Sequence, residues 1–202
     1  RDRGSFEFSR GRREPPSGVV GMIFRIYRFS TIILEYFLVW ILHRRLACGK
    51  EDPDRFQERL GYPGLARPKG SLIWMHGASV GEVVSLLPLI KIILRHDGHS
   101  HVLVTSGTVT SALIIAERLP TRSLHQYVPI DQPSAIRRFL DHWRPDLALW
   151  VESELWPNLI NETGSRNVPM ALINARMSEK SYRRWRYLPF VIKPLLQSFQ
   201  FC

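Results

Sequence analysis

From Ser71 onward, short apolar runs alternate with stretches at helical spacing, and this pattern predicts an α/β fold: a Rossmann-like parallel sheet with helices on both faces. Two features carry that prediction. The run Ser71–His76 has the length and composition of a buried strand, and after it Val83, Leu86, Leu87, Ile90, Ile93 and Leu94 recur at helical spacing. Between them lies a turn bearing Gly77 and Gly81. A strand that turns on glycine into a helix gathers backbone N–H groups and the helix's positive end in one place.

Taken in order, residues 1–18 are rich in Arg, Gly, Ser and Pro and read as a disordered or non-native leader, with Met22 a plausible natural start. Residues 19–46 read as an N-terminal hydrophobic anchor helix. Phe29–Leu42 is almost wholly apolar but carries Glu35, and Arg25 and Arg28 precede it. Trp40, Tyr27 and Tyr36 are types found at membrane interfaces, and His43, Arg44 and Arg45 follow directly. The alternative is a long amphipathic helix packed on the domain. Residues 47–70 are polar and proline-bearing, a connector with one short helix near Arg55–Leu60. The core is expected to begin near Ser71.

Within 71–202 the strand candidates are Ser71–His76, His101–Thr105, Leu124–Val128, Leu147–Val151 and Met170–Asn174. The helix candidates are Val83–Arg95, Thr110–Arg118, Ser134–Trp143 and Pro157–Glu162, with a last helical region over Ser181–Gln197 broken near Pro189 and Pro194. In such a sheet the ligand crevice lies at the carboxyl ends of the strands.

Of 202 residues, 45% are hydrophobic, enough for a core, and the formal net charge is +10. That excess calls for anionic partners without choosing among nucleic acid, lipid headgroups and phosphorylated substrates. Cys48 and Cys202 are the only cysteines and make no disulfide scaffold. The chain ends just after the apolar segment 190–201 and reads as part of a longer protein. No nucleoside-triphosphate phosphate loop, G-x-G-x-x-G or H-E-x-x-H is present. His96, His99 and His101 crowd a loop, but no carboxylate or cysteine pattern completes a metal site.

The central turn carries rival motifs. Gly77-Ala78-Ser79-Val80-Gly81 fits G-x-S-x-G, a nucleophile elbow between strand and helix, with His125 or His142 as the candidate base for Ser79. Against that, no earlier strand supplies a second oxyanion donor. Ser79 to Glu82 is also an S-x-x-E capping box, in which both residues serve the helix alone. In a third reading Glu82 is a general base at the crevice.

Glu152-Ser153-Glu154-Leu155-Trp156-Pro157 follows the fourth strand. Its acids suit the N-terminus of a helix opening on Pro157, and acids beside a Trp equally suit a sugar site. Arg176, in Asn174–Ser178, has the fork to clamp a phosphate or carboxylate. Beyond it Lys180, Arg183, Arg184 and Arg186 interleave with Tyr182, Trp185 and Tyr187, either a solvated face or a surface for anionic lipid.

The segments HGASVGE, LHQYVPIDQP, ESELWPNLI and INARMS, in this order, resemble the 3-deoxy-D-manno-octulosonic acid (Kdo) transferases of lipid A biosynthesis. The resemblance runs from about Met22 to the end and implies the amino-terminal, acceptor-binding half of a GT-B glycosyltransferase, with a carboxyl-terminal domain that binds most of the donor CMP-Kdo. It implies Glu82 as general base and Glu152 in transition-state stabilisation, with Ser153 where the family carries Thr. It places Ser79, Gly81, Glu154 and Arg176 about the substrate, Arg176 by proximity only. It implies inverting transfer of Kdo to a phosphorylated glycolipid, with no cofactor and no metal at the transfer step. The setting it implies is the cytoplasmic face of the inner membrane, or an organellar membrane in a plant, with no nucleic-acid partner.

Overall fold

The computed structural model of the chain describes residues 19–151, 155–175, 179, 183, 186 and 189–201. Its five strands are β1 (Leu72–His76), β2 (His101–Ser106), β3 (Ser123–Tyr127), β4 (Leu147–Val151) and β5 (Met170–Ile173). They form one parallel sheet in the order β3-β2-β1-β4-β5. The helices are α1 (Val19–Ile33), α2 (Glu35–Ala47), α3 (Phe56–Arg59), α4 (Val80–His96), α5 (Val109–Ala116), α6 (Pro133–Trp143), α7 (Pro157–Ser165) and α8 (Pro189–Gln197).

Strand periodicity divides the core into two layers. Trp74, Leu103, Ala148, Trp150 and Leu172 pack with Phe139 and Trp143 of α6, Leu159 of α7 and Leu195 of α8. Met75, Val102, Val104, Leu149 and Val151 pack with Val83, Leu86 and Ile90 of α4 and Ile115 of α5. Both sheet faces are therefore dry, which is why the strands read as continuous apolar runs. Trp74 meets Trp150 edge-on at 4.7 Å and Phe139 at 5.0 Å. The apolar end of the chain joins this layer: Phe199 is buried against Trp150 at 5.7 Å between ring centres, and Phe201 forms an isolated parallel bridge with Ala171 of β5.

The expected anchor finds no support as a membrane-spanning helix: among the described residues no helix is long and apolar enough to cross a membrane. Residues 19–47 instead form α1 and α2, joined at Leu34, and both lie on the domain. Tyr27 Oη donates to Asp131 (2.8 Å), Arg28 pairs with Glu162 (3.1 Å), and Glu35 accepts from Gln132 Nε2 (2.9 Å). Arg28 and Glu35, charged residues of the apolar segment, thus find protein partners, which lipid does not offer. The outward face stays apolar, with Ile26, Phe29, Ile33, Tyr36, Phe37 and Trp40 exposed.

The stretch read as a connector is also packed. Glu51, Phe56, Glu58 and Arg59 are buried. Glu51 sits 2.6 Å from Arg45 and 3.3 Å from Arg59, and Glu58 accepts from the Tyr127 amide at 2.7 Å. Gly61 has φ +85°, and a Cβ there would fall 2.0 Å from the Ala135 carbonyl oxygen, so only glycine lets this strap lie against α6.

Candidate functional site

Strand order reverses between β1 and β4, the place where open α/β sheets leave a crevice beyond their carboxyl ends. The turn after β1 opens there. Ser79 is extended (φ −112°, ψ 166°) and caps α4, its Oγ accepting from the Glu82 amide at 3.3 Å. Glu82 returns the interaction twice. Its Oε1 accepts from Ser79 Oγ and its Oε2 from the Ala78 amide, each at 2.7 Å. Glu82 is 9% exposed, with its carboxylate fixed rather than free in solvent. This cap starts α4 at Val80, earlier than the periodicity of its apolar face predicts.

Gly77, not Gly81, is the sterically demanding glycine of this turn. A Cβ on Gly77 would meet Glu82 Cβ at 3.0 Å and the Val83 amide at 3.2 Å, whereas one on Gly81 meets nothing within 4 Å. The close passage of Gly77 under the first turn of α4 is what brings Glu82 back over the strand end.

Beside the turn is a pocket of about 390 Å³. Ala78, Gly107, Ile130 and Trp156, each following a different strand, line it together with Leu38, Ile41 and Leu42 of α2. Arg45, Arg59 and Thr108 complete the lining. A larger groove, about 580 Å³, lies by α3 and the β3 edge and includes Arg55, Glu58 and His125. It lies away from the carboxyl ends of the strands, where the smaller pocket opens, and its Arg55 and Glu58 pair with each other at 2.9 Å.

His76 ends β1 between the Trp150 and Trp156 rings and is fully buried, which lowers its pKa to about 4 and keeps it neutral. Thr105 Oγ1 accepts from Trp74 Nε1 (2.9 Å) and lies 3.0 Å from His76 Nδ1. Among the described residues, His76 Nε2 has no hydrogen-bond partner.

The sequence model of a family described as 3-deoxy-D-manno-octulosonic-acid transferase (kdotransferase) matches residues 54–202. The chain belongs to this family of Kdo transferases. It is 40% identical over 163 residues to a protein of Arabidopsis thaliana named as a probable mitochondrial 3-deoxy-D-manno-octulosonic acid transferase, covering 81% of this chain and 36% of that protein. It is 41% identical over 162 residues to the 3-deoxy-D-manno-octulosonic acid transferase of Rickettsia bellii, covering 80% and 38%. To the transferase of the same name from Haemophilus influenzae it is 36% identical over 133 residues, covering 65% and 31%. The chain thus spans under two fifths of the length of these relatives.

Of the Kdo transferase positions carried over by motif, Ser79, Gly81 and Glu82 come together at the start of α4. Glu152, Glu154 and Arg176 lie outside the described residues, as does most of the basic and aromatic run 180–187. The serine-hydrolase reading loses its base. Ser79 Oγ donates to Glu82, His142 Nε2 lies 2.8 Å from the Leu65 carbonyl, and His125 Nε2 pairs with Ser106 Oγ at 2.9 Å. Arg55 donates to His125 Nδ1 (3.1 Å), so His125 Nε2 carries the proton and donates to Ser106, the wrong polarity for a base. Burial and Arg55 lower the His125 pKa to about 3.

Asp131, Glu51 and Arg59 escaped the sequence reading. Asp131 takes the Asn158 and Leu159 amides (3.2 and 2.8 Å) and so caps α7, whose own N-cap residue, Trp156, makes no side-chain cap bond. The only local signal is the sequence Ile130-Asp131-Gln132-Pro133, a turn before a helix.

Proposed function

We propose that this chain is the acceptor-binding part of an enzyme that transfers Kdo from CMP-Kdo to a lipid A precursor, with Glu82 as general base. The observation carrying the proposal is the pinned Glu82 carboxylate at the strand crossover. Two hydrogen bonds orient it, yet a carboxylate offers about four lone-pair sites, so capacity remains to receive a proton. The acceptor's primary hydroxyl attacks the anomeric carbon of Kdo, its proton passes to Glu82, and CMP leaves with the bonding pair from the opposite face. Configuration inverts. No metal takes part in this step, and holding two substrates together supplies much of the rate.

Glu152 stabilises charge in the transition state, and Glu154, Arg176, Ser79 and Gly81 position substrate, by the sequence match given above. CMP-Kdo is held mainly by a second domain. The outward apolar face of α1 and α2, bordered by Arg25 and Arg44, rests on the cytoplasmic face of the inner membrane, or on an organellar membrane in a plant. The large positive charge serves the phosphorylated acceptor and the anionic lipid surface.

Glu82→Gln in the full-length protein tests the mechanism. The amide keeps both contacts, accepting from Ala78 and donating to Ser79, so the fold should melt near wild type. Losing a base costs ~100- to 10,000-fold in rate. Near-normal Kdo transfer would reduce Glu82 to a helix cap.

A further inference from the structure

The pocket beside Ala78 has a lining that suits a chain better than a sugar. Leu38, Ile41 and Leu42 come from one face of α2, and Ile130 and Trp156 close the opposite wall. Thr108, the one hydroxyl-bearing residue of the lining among the described residues, is committed to the cap of α5, where it accepts from the Ser111 amide at 3.1 Å and lies 2.8 Å from Ser111 Oγ. A sugar needs free donors and acceptors around it, and this lining offers few.

The charge at the pocket is unbalanced. Glu51 is shared between Arg45 at 2.6 Å and Arg59 at 3.3 Å, so one carboxylate faces two guanidiniums. Arg59 is anchored further by donating to the Val128 carbonyl, and burial lowers its pKa. An arginine remains charged under such a shift. Arg45 is the more exposed of the pair, its side chain 40% accessible against 9% for Arg59. Glu82 is not part of the lining. Among the described residues of the lining, a surplus positive charge therefore stands at the wall of an otherwise apolar pocket.

The same helix is apolar on its other side. Phe37 and Trp40 stack at 5.6 Å in solvent, with Arg44 over Trp40 at 5.7 Å. A helix with apolar residues on both faces ordinarily lies buried. Here one face covers the pocket and the other faces outward, so a single helix separates the pocket from the surface assigned above to lipid.

We infer that the pocket takes one acyl chain of an anionic amphiphile, with Arg45 and Arg59 meeting its anionic end. The inference rests on the proposed lipid acceptor and specifies how that acceptor is gripped: the chain is drawn under α2 beside the Glu82 turn.

Alkyl phosphates of increasing length, titrated into the chain below their aggregation concentration, test this. Affinity should rise about fourfold per methylene and then level off once the pocket is full. An open apolar surface gives no such plateau. Ile41→Trp, which fills the pocket, should weaken dodecyl phosphate at least about tenfold, and Leu38→Phe provides a milder filling should the first variant fail to fold. Arg45→Gln should remove the preference for dodecyl phosphate over dodecyl maltoside. Trp40→Ser, on the outer face, should leave affinity unchanged.

An affinity that climbs with chain length without a plateau overturns the inference. So does binding that both filling variants leave intact, or that only Trp40→Ser removes. Dimerisation of the chain abolished by Ile41→Trp would give the pocket to a second copy and overturn it too. Glu82→Gln should bind dodecyl phosphate normally. A failure of the base mechanism would therefore show in the transfer assay and leave these titrations untouched.

Discussion

Gly77 and Gly81 stand four positions apart in one turn, and the structure gives them opposite sensitivities. Gly77→Ala forces a Cβ against Glu82 Cβ at 3.0 Å and the α4 backbone, so it should cost about 1–3 kcal/mol and displace the carboxylate. Gly81→Ala meets open space at the second position of α4, where alanine should stabilise by about 0.5–1 kcal/mol. Urea unfolding of the two variants checks the pair, and equal effects would contradict the geometry. His76 carries a pH signature. Its pKa, about 4 in the folded chain, lies below the ordinary 6.5, so the unfolded chain takes the proton first. The stability gained by keeping it neutral is complete above pH 6.5 and is lost as pH falls from 6.5 toward 4, on the order of 3 kcal/mol. His125 acts with the same sign and the raised carboxyl of Asp131 with the opposite one. The difference between wild type and His76→Gln isolates the term: wild type should lose more melting temperature between pH 7 and pH 4.5. Parallel pH curves would remove His76 as the source.

At the scale of elements, Asp131 is a latch. Its carboxylate holds Tyr27 of α1 and two amides of α7, and its own carbonyl accepts from Asn158 Nδ2 at 2.8 Å. Asp131→Ala leaves those amides without their acceptor and should cost about 1–3 kcal/mol. Amide exchange should speed up in the first turn of α7 and in α1 together. Exchange confined to α7 would show that α1 is held by other contacts. This latch marks the limit of what the sequence tells. The strands and their helices were legible because period two and period 3.6 are local signals, and β4 falls on the residues expected. The Ser79 cap was legible for the same reason, although Glu82 reaches the Ala78 amide and Ser79 Oγ rather than the Ser79 amide of a reciprocal capping box. Asp131 meets Tyr27 across 104 positions, and Arg59 meets the Val128 carbonyl across 69. No spacing rule reaches that far, so residues 19–46 read as an anchor and 47–70 as a connector. Their polar residues looked unpartnered only while the fold was unknown.

On the scale of the whole molecule, the outward face of α1 and α2 gives the domain a side. Ile26, Phe29, Ile33, Tyr36, Phe37 and Trp40 are exposed together on a chain of net charge +10. Isolated surface apolar residues need no explanation, but a contiguous set on two successive helices does. Replacing Phe37 and Trp40 by Ser should weaken binding to vesicles containing anionic phospholipid at least about tenfold, while the melting temperature changes little. Sedimentation with vesicles at low and high salt separates the contributions, since added salt screens the basic residues and leaves apolar insertion intact. Unchanged sedimentation at both salts would mean that these rings do not touch the bilayer.

The central position of β1 also matters while the protein is being made. One of its edges pairs with β2, the next strand in the chain, but the other waits for β4, which follows two further strand-and-helix units. Ribosomes add about 5–20 residues per second, so that edge stays open for roughly several seconds. During that interval Leu72, Trp74 and Met75, all fully buried at the end, belong to a nascent strand with a free row of N–H and C=O groups. Slower translation before residue 147 therefore lengthens the exposure of this half-built sheet, and faster translation shortens it.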